Sequence, residues 1–327
     1  MRTARELLQP LLDLHDGIRR DVVAATERAT GDALNAVARE EQSDTIYAID
    51  VIAEDVLDRF AAQLAKETSV VLIAEGIAGG RRTYPSGTSE ADAAWRIIVD
   101  PIDGTRGLMY QKRSAWILSA VAPNRGPATS LKDVVLAVQT EIPLRKQHLS
   151  DQLVAVQGQP VAAIRYNRLS GTSGCLDLAP SGATTIAHGY ATVSRFFPGG
   201  REHLAAIDDA IVTAALGRGE PGKALCFEDQ YASTGGQLYE LLAGHDRFIA
   251  DLRGLVPGAT LCCHPYDICT ASIATASGVI LTDPLGRPLD VPLDTSTNVS
   301  WIGYANDHLR RQIEPHLQAA LHTRGWI

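Results

Sequence analysis

The stretch WRIIVDPIDGT, residues 95–105, decides the fold of this chain. Its first half is a run of apolar and β-branched residues, which is typical of a buried strand. A turn follows, because a proline fixes its own backbone and Gly104 tolerates conformations that other residues avoid. Asp100 and Asp103 are therefore predicted on a tight turn, where their carboxylates and the Ile102 carbonyl can converge on one hard cation.

Two alternatives to a metal site apply to this turn. In the first, the aspartates only make local turns with the backbone. In the second, the motif would be the D-x-D-G-T of haloacid-dehalogenase-type phosphatases, whose first Asp is a nucleophile. The spacing here is one residue longer, which disfavours a phospho-aspartate mechanism. Backbone N–H groups after Gly104 and Thr105 would suit a phosphate, as those of helix N-termini and nests do.

Further carboxylates follow other predicted elements. Glu75 ends the short β-branched run VVLIAE, so we expect it beside Asp100 at one edge of a sheet. Asp267 is expected at the start of a helix over 267–277, after a turn that contains a proline. Taken alone, Asp267 is better explained as a helix cap than as a metal ligand.

An earlier helix is predicted near SDTIYAID, residues 43–50, with Ser43 or Asp44 as its cap. Its apolar residues recur at three- and four-residue steps and share one face. Asp50 lies on a different face of this helix. By itself Asp50 is an ordinary solvated charge.

The bulk composition restricts the function. The chain has 327 residues, 45% of them hydrophobic, which is enough for a large core and two subdomains. A net charge of −8 without any basic run argues against nucleic-acid binding, and no segment is long and apolar enough to span a membrane. Five cysteines without a C-x-x-C pair favour buried free thiols in a reducing cytoplasm.

The order of predicted elements indicates mixed α/β and α+β layers. Helix 3–30 comes first, and its mixed charges favour an amphipathic helix over a signal peptide. Strands dominate up to a Gly- and Ser-rich stretch, and helices and strands alternate after it. We therefore divide the chain into an N-terminal α+β subdomain, 1–180, and a C-terminal α/β subdomain, 181–327. A last helix is expected after the cap Asn306, with Pro315 kinking or interrupting it.

These motifs resemble those of the inositol monophosphatase superfamily, which includes fructose-1,6-bisphosphatases and 3'-phosphoadenosine phosphatases. WRIIVDPIDGT looks like the first signature of that superfamily, and YDICTASIATASGVILTDPLG (266–286) looks like its second. Three other segments are similar to family segments and occur in family order: SDTIYAID with VIAED, IAEG, and YASTGGQLYELLAG. The resemblance covers about residues 40–310, and two long signatures in the right order are specific.

The resemblance implies a layered αβαβα sandwich and two or three Mg2+ ions. It also implies a set of metal ligands: Glu75, Asp100, the carbonyl of Ile102, Asp103 and Asp267. Thr105 matches the hydroxyl that orients the attacking water, and Asp50 matches the carboxylate paired with it. Glu75 or this pair can accept the proton of the water. Sensitivity to lithium and a homodimer are implied as well.

Substrate contacts are expected around the same turn. Asp103, Gly104, Thr105 and Asp267 match the phosphate-binding part of the family site. Arg106 is a further candidate because it directly follows Thr105. Two later residues lie near where the family contacts the polyol, namely Glu228 and Ser233. His264 is close to Asp267 in sequence and is a candidate for the pocket wall, but a turn histidine is the favoured interpretation. The FFPGGRE loop, 196–202, occupies a place that in the family lies near the substrate or a neighbouring subunit.

The function indicated is Mg2+-dependent hydrolysis of an inositol, cyclitol or sugar phosphate by a metal-activated water. Alternatives are a fructose-1,6-bisphosphatase, a 3'(2'),5'-bisphosphate nucleotidase, or a non-catalytic regulator that binds a metal or a sugar phosphate. Two departures from the family pattern bear on the third metal: Gly76 replaces a second acid, and Tyr47 stands where Thr is frequent. Tyr266 replaces a Trp, which is a milder change between two large aromatic residues.

Overall fold

A computed structural model describes residues 3–28, 37–40, 45–258 and 261–327 of the chain. In this described part, the largest sheet has eight strands: β3 (Val70–Ala74), β4 (Arg81–Tyr84), β5 (Trp95–Asp103), β6 (Ala115–Pro123), β7 (Leu136–Ile142), β8 (Leu149–Val156), β9 (Ala162–Asn167) and β10 (Thr172–Cys175). Their order across the sheet is β10-β9-β8-β7-β6-β5-β3-β4. The β3–β5 pair is parallel and the other pairs are antiparallel.

Two smaller sheets complete the described strands. Strands β1 (Val37–Glu40) and β2 (Thr45–Tyr47) form an antiparallel pair. The second sheet contains β11 (Tyr190–Val193), β12 (Asp246–Asp251), β13 (Ile280–Thr282) and β14 (Trp301–Tyr304), in the order β11-β12-β14-β13. The eight-stranded sheet and this four-stranded sheet form the two β layers of the fold.

Helices cover both sheets. The described α-helices are α1 (Leu8–Arg28), α2 (Ala48–Leu64), α3 (Thr105–Met109), α4 (Arg201–Leu216), α5 (Thr234–Leu242), α6 (Ala271–Ala276) and α7 (Asp307–Thr323). Helices α1 and α2 pack on one face of the large sheet, and α5 and α6 lie between the two sheets. Helices α4 and α7 pack together on the far face of the small sheet. The result is the predicted αβαβα sandwich.

Strand β6 shows why the central strands are mostly apolar. Ile117 and Val121 pack against the core under α1 and α2, whereas Trp116 and Leu118 pack against the core shared with α5 and α6. Side chains alternate between the faces of a strand, so a strand covered on both faces carries apolar residues at most positions, and a polar one such as Ser119 has a buried hydrogen-bond partner. This arrangement explains the continuous hydrophobic runs in the sequence.

Helix α1 places one polar side chain inside the first core. His15 is fully buried, and its ring nitrogens lie 2.9 Å from Thr140 Oγ1 and 2.7 Å from Ser119 Oγ. Burial, and secondarily the charge of Arg19, lowers the pKa of His15 to about 3. The residue is therefore neutral at physiological pH and joins the helix to two strands of the sheet.

Several predicted elements need correction. The helix expected to start at Asp267 starts only at Ala271, because Asp267 lies in a turn that precedes the helix. Pro315 does not interrupt the last helix, which runs continuously from Asp307 to Thr323. The expected cap of this helix is confirmed, since the Asn306 side chain accepts a hydrogen bond from Leu309 N.

Other expectations have mixed outcomes. Ser43 and Asp44, the expected caps of the early helix, lie outside the described residues; that helix begins at Ala48, after Tyr47. The cysteines are free, as predicted, but the expectation of burial holds only for Cys263 and Cys269, since Cys226 and Cys262 are half-buried and Cys175 is exposed. None of the described helices has the length and apolarity that crossing a membrane requires.

The division at residue 180 stays a prediction. The large sheet lies before that residue and the four-stranded sheet after it. One core cluster nevertheless combines residues of both halves, from Val71 in β3 to Trp301 in β14. Both residues are fully buried. The two halves therefore share a core.

Candidate active site

The parallel pair β3–β5 brings two acidic residues to one edge of the large sheet. Ala74 is paired with Val99, so Glu75, the first residue after β3, comes beside Asp100; β5 continues to Asp103, so Asp100 lies inside that strand and not at its end as expected. Both line a narrow cleft of about 80 Å³. The two residues are thus positioned by strand pairing, which a local sequence motif alone does not specify.

A β-bulge turns both aspartates of the DPID turn to the same side. Asp100 pairs with Leu118 and Asp103 pairs with Trp116, so the two pairs are three residues apart along β5 but only two residues apart along β6. In a regular strand, residues three apart point to opposite faces. The extra residue in β5 cancels this alternation, as bulges do. Both carboxylates therefore reach the cleft.

Asp103 is held by the beginning of helix α5. Its Oδ2 accepts hydrogen bonds from Gly235 N at 2.6 Å and from Ser233 Oγ at 2.7 Å, and its Oδ1 accepts one from Thr234 N at 3.2 Å. Ser233 also caps the helix by accepting from Gly236 N. A negative charge is stabilised at a helix N-terminus, so the turn is tied to the layer between the sheets.

Asp267 completes the acidic group. Its Oδ2 accepts a hydrogen bond from His264 N at 2.6 Å, which fixes the carboxylate within its turn. One oxygen each of Asp100, Asp103 and Asp267 lies within 4.8 Å of the other two. We call these three residues the acidic cluster.

The electrostatics of the acidic cluster favour a cation. Burial raises the pKa of Asp100 well above its usual range, and the charges of Asp103 and Asp267 raise it further. Burial also raises the pKa of Asp267, with a contribution from Asp103. The pKa of Asp103 is raised to about 6 by burial, although its hydrogen bonds oppose that shift. Three carboxylates that repel each other, those of Asp100 and Asp103 buried and that of Asp267 half-buried, form a donor set that suits a hard divalent ion.

A second pair of residues adjoins the acidic cluster. The Thr105 hydroxyl lies 2.9 Å from Asp50 Oδ1 and 2.8 Å from the carbonyl oxygen of Ile102, so its one proton is shared between two acceptors. Asp50 Oδ2 accepts from Tyr47 N at 2.8 Å, which holds the carboxylate in the first turn of α2. The structure therefore brings Asp50 and Thr105 together, as the resemblance implied.

Two glycines shape the backbone of the site. Gly104 has φ 94° and ψ 25°, a left-handed conformation. A Cβ there would lie 2.9 Å from the Cβ of Ser233, so the close approach of the turn to α5 also requires glycine. Gly76 has φ 80°, which explains the departure noted above, since a second acid at this position would be strained.

The substrate candidates separate into two groups. Arg106, Gly104 and Ser233 line the cleft together with Thr105 and the acidic cluster. Glu228 is not among the lining residues; its carboxylate is paired with Arg195. The roles given to these residues remain predictions.

Arg253 and Cys262 line the cleft but were not identified from the sequence. Phe196 and Phe197 of the FFPGGRE loop, and Tyr266 of the second signature, line it as well. His264 lines the cleft, which was the less favoured of its two interpretations, and its Nδ1 lies 3.0 Å from the Thr297 carbonyl oxygen. The FFPGGRE loop was the available signal for the two phenylalanines. The sequence around Arg253 contains no motif that indicates a place in the cleft.

The amino-acid sequence has no match among families or curated proteins. No family model matches the chain, and no curated protein matches it in sequence. Solved structures do match it over nearly its whole length. An inositol monophosphatase from Zymomonas mobilis has 18% identity and a TM-score of 0.61, and the match covers 98% of this chain and 99% of that one.

Two further solved structures match over a similar share of the chain. A fructose-1,6-bisphosphatase from Leishmania major has 14% identity and a TM-score of 0.67, over 97% of this chain and 93% of that one. A Pyrococcus horikoshii protein described as similar to inositol-1 monophosphatase has 14% identity and a TM-score of 0.65. That match covers 96% of this chain and 99% of the other.

The layers and the cleft define an αβαβα sandwich with an acidic cluster at the edge of its parallel strand pair. This is the fold of the inositol monophosphatase superfamily, which the Zymomonas and Leishmania enzymes share. The resemblance recognised in the sequence is therefore confirmed at the level of the fold.

Proposed function

We propose that this chain is a divalent-metal-dependent phosphomonoesterase that hydrolyses an inositol, cyclitol or sugar phosphate. The observation that carries the proposal is the acidic cluster, which lies in the same cleft as the Asp50–Thr105 pair. The oxygens of a phosphate ester are negatively charged and bind to a cationic surface. The acidic cluster becomes such a surface only when a metal is bound, so a metal-dependent site suits a phosphate ester as the substrate. The fold shared with inositol monophosphatases and a fructose-1,6-bisphosphatase supports this choice.

The metal proposed is Mg2+, held by Glu75 and the acidic cluster with the Ile102 carbonyl. Carboxylate and carbonyl oxygens are the ligands that this hard ion prefers. When bound, Mg2+ supplies Lewis acidity, which neutralises phosphate charge and acidifies water. Sensitivity to lithium, a homodimer and a cytoplasmic location belong to the same proposal.

The residues of the chain then have separate tasks. Thr105 donates its proton toward Asp50 or the Ile102 carbonyl, which leaves its oxygen free to accept a hydrogen bond from a water molecule and to orient it. Asp50 is placed to take the proton of that water through Thr105, and Glu75 is the other candidate base. Gly104 lets the phosphate approach the backbone closely. No covalent intermediate is required.

The test is phosphate release from a panel of inositol, sugar and nucleotide phosphates, with Mg2+ and with a chelator. We expect release that depends on Mg2+ and prefers one substrate. Asp100→Asn should lower turnover at least about 100-fold, because metal contacts are worth several kcal/mol in the transition state. Asp58→Asn is the control, since it removes an exposed carboxylate of α2 outside the cleft. Near-normal turnover in Asp100→Asn would contradict the proposal, and absence of release from every ester would favour a binding protein.

A further inference from the structure

Trp116 connects the two segments that hold Asp103 in place. It is the residue of β6 that pairs with Asp103 across the bulge in β5. Its indole Nε1 donates a hydrogen bond to the hydroxyl of Tyr231 at 3.0 Å. Tyr231 lies just before α5, in the segment whose following residues bond to the Asp103 carboxylate. Asp103, its strand neighbour and the segment that binds its side chain therefore form a closed ring of contacts.

The Tyr231 hydroxyl is anchored at the start of β6. Besides accepting the bond from the indole, it donates to the Ser114 carbonyl oxygen at 2.7 Å, and Ser114 Oγ lies 3.1 Å from the same oxygen. Both Trp116 and Tyr231 are buried. A buried polar group that loses its partner is not compensated by water, so these bonds resist any displacement of the phenol.

The Tyr231 ring packs against the first turn of α5. A Cβ at Gly236 would lie 2.4 Å from two carbons of the ring, so only a glycine leaves the space that the ring occupies. A Cβ at Gly235 would lie 2.6 Å from a methyl carbon of Leu118 and 3.0 Å from Asp103 Oδ2. The ring, the helix start, the strand and the carboxylate are therefore packed without room for one to shift alone.

Arg113 supports Tyr231 from the solvent side. Its guanidinium carbon lies 5.0 Å from the centre of the Tyr231 ring, and its side chain is paired with Asp229 in the segment before α5. Its backbone N–H donates to the Gly107 carbonyl oxygen of α3 at 3.4 Å. A cation over an aromatic face is attracted to it, so the segment before α5 is held from two directions.

The start of α5 determines where the Asp103 carboxylate points. The three hydrogen bonds that Asp103 accepts come from consecutive residues, 233–235. A carboxylate offers about four acceptor positions, so these bonds leave one position, on Oδ1. A metal ion needs that position, and a shift of the helix start would turn it away. Partners that orient a ligand in this way tune the affinity for the metal.

We propose that Tyr231 is a positioning residue for the metal site: it holds the start of α5 against β6 and thereby sets the direction of the Asp103 carboxylate. The inference rests on the metal-dependent site of the proposed function. Tyr231 is not among the residues that line the cleft, so it acts through Asp103 and not by touching the metal or the substrate. The affinity for the metal therefore depends on a phenol outside the cleft and on its indole partner, Trp116.

The experiment measures metal binding without any substrate. Mn2+ is the probe, because it takes the same oxygen ligands as Mg2+, and the loss of its free-ion electron paramagnetic resonance signal gives Kd. Ser233→Ala removes a direct partner of Asp103 and should raise Kd about 10- to 100-fold. Tyr231→Phe removes only the hydroxyl and should raise Kd about fivefold, less than the loss of a direct partner.

Tyr239→Phe is the matched control. Tyr239 lies in α5 as well, its ring centre is 4.8 Å from that of Trp116, and its hydroxyl donates to Asp151 at 2.5 Å. Both variants lose a buried phenolic hydrogen bond, so both should lower the melting temperature, but only Tyr231→Phe should change Kd. Trp116→Phe is a second variant; it should raise Kd less than Tyr231→Phe, because Tyr231 keeps its bond to Ser114.

The possible outcomes separate the two proposals. An unchanged Kd in Tyr231→Phe, or an equal rise in Tyr239→Phe, overturns the positioning role and leaves the proposed function standing. Phosphate release is measured separately on the wild type. If no ester is hydrolysed but Kd rises in the expected order, the phosphatase fails and the positioning role is supported. If the wild type does not bind Mn2+, both proposals fail.

Discussion

The Thr105 hydroxyl and Asp50 Oδ1 lie 2.9 Å apart, although 55 residues separate them in the chain. This hydrogen bond joins the first turn of α2 to the turn that ends β5. It also places a hydroxyl with free lone pairs next to a carboxylate that can receive a proton. The pair is therefore expected to act as a unit.

Removal of either member should give the same loss. We expect Thr105→Ala and Asp50→Asn each to lower kcat about 10²- to 10⁴-fold, the range of general base catalysis, with a smaller effect on KM. Thr105→Ser should retain most of the activity, because it keeps the hydroxyl. The measurement is steady-state kinetics on the preferred substrate. The double variant should be no worse than the single ones, and multiplied losses would show that the two residues act separately.

Metal binding should stabilise the fold. The acidic cluster is repulsive without a cation, so Mg2+ at 100 times its Kd should raise the free energy of unfolding by about 2.7 kcal/mol. Asp100→Asn should reduce this gain and make the metal-free protein more stable, since one charge of the repulsive group is gone. Thermal melting with Mg2+ and with a chelator measures both effects.

The control for the metal effect is Asp58→Asn, which removes an exposed carboxylate outside the cleft. It should retain the full gain in stability with Mg2+. An equal gain in Asp58→Asn and Asp100→Asn would mean that the metal binds elsewhere.

The turn at Gly104 should not accept a side chain. Gly104→Ala combines a left-handed backbone with a Cβ only 2.9 Å from that of Ser233. Gly158→Ala is a matched control, since Gly158 also has a positive φ but has nothing within 4 Å of its Cβ position. The control should cost about 1 kcal/mol, and Gly104→Ala about 1–3 kcal/mol more because of the clash. Denaturant unfolding measures both, and equal costs would contradict the proposed close packing.

Stability should fall in mild acid partly because of His15. The pKa of His15 is about 3 in the folded protein, and that of an ordinary histidine is about 6.5. Between these values the unfolded chain binds a proton that the folded chain does not, so stability decreases as pH falls. The slope from this residue is about 1.4 kcal/mol per pH unit.

The measurement for His15 is denaturant unfolding at pH 7, 6 and 5. Between pH 6 and pH 5, the free energy of unfolding should fall less in His15→Asn than in the wild type. The two decreases should differ by close to the 1.4 kcal/mol per pH unit expected from His15, on the order of one pH unit of that slope. His203→Asn is the control, because that histidine lies on the exposed side of α4. A wild-type slope in His15→Asn would show that the buried ring is not responsible.

The sequence predicted the parts of the site that depend on local pattern. The DPIDGT turn contains its own strand, its own turn residues and two carboxylates, so residues 95–105 were interpretable without the rest of the chain. Glu75 and Asp100 were placed together because both were expected to end short buried strands. In the structure these strands are parallel neighbours, which puts the two residues at one edge.

The parts that were missed depend on contacts between distant segments. Arg253 reaches the cleft because β12 pairs beside β14 and its following loop returns to the turns near Asp267. The bonds from Asp103 to the backbone of α5 cross more than a hundred residues. No periodicity or short motif encodes such contacts. The start of α6 was predicted too early for a local reason. The Asp267 side chain accepts a hydrogen bond from His264 N, which stabilises a turn where a first helical turn was expected.

The bulge in β5 has an evolutionary consequence. It directs Asp100 and Asp103 to one side through the backbone, by the pairing of β5 with β6, and this pairing does not depend on what the carboxylates bind. A descendant of this chain could exchange one aspartate for a neutral residue and keep the outline of the cleft. Such a protein would lose turnover with its metal ligand, while the backbone that shapes the cleft would stay. The scaffold therefore lets the shape of the cleft be inherited separately from catalysis.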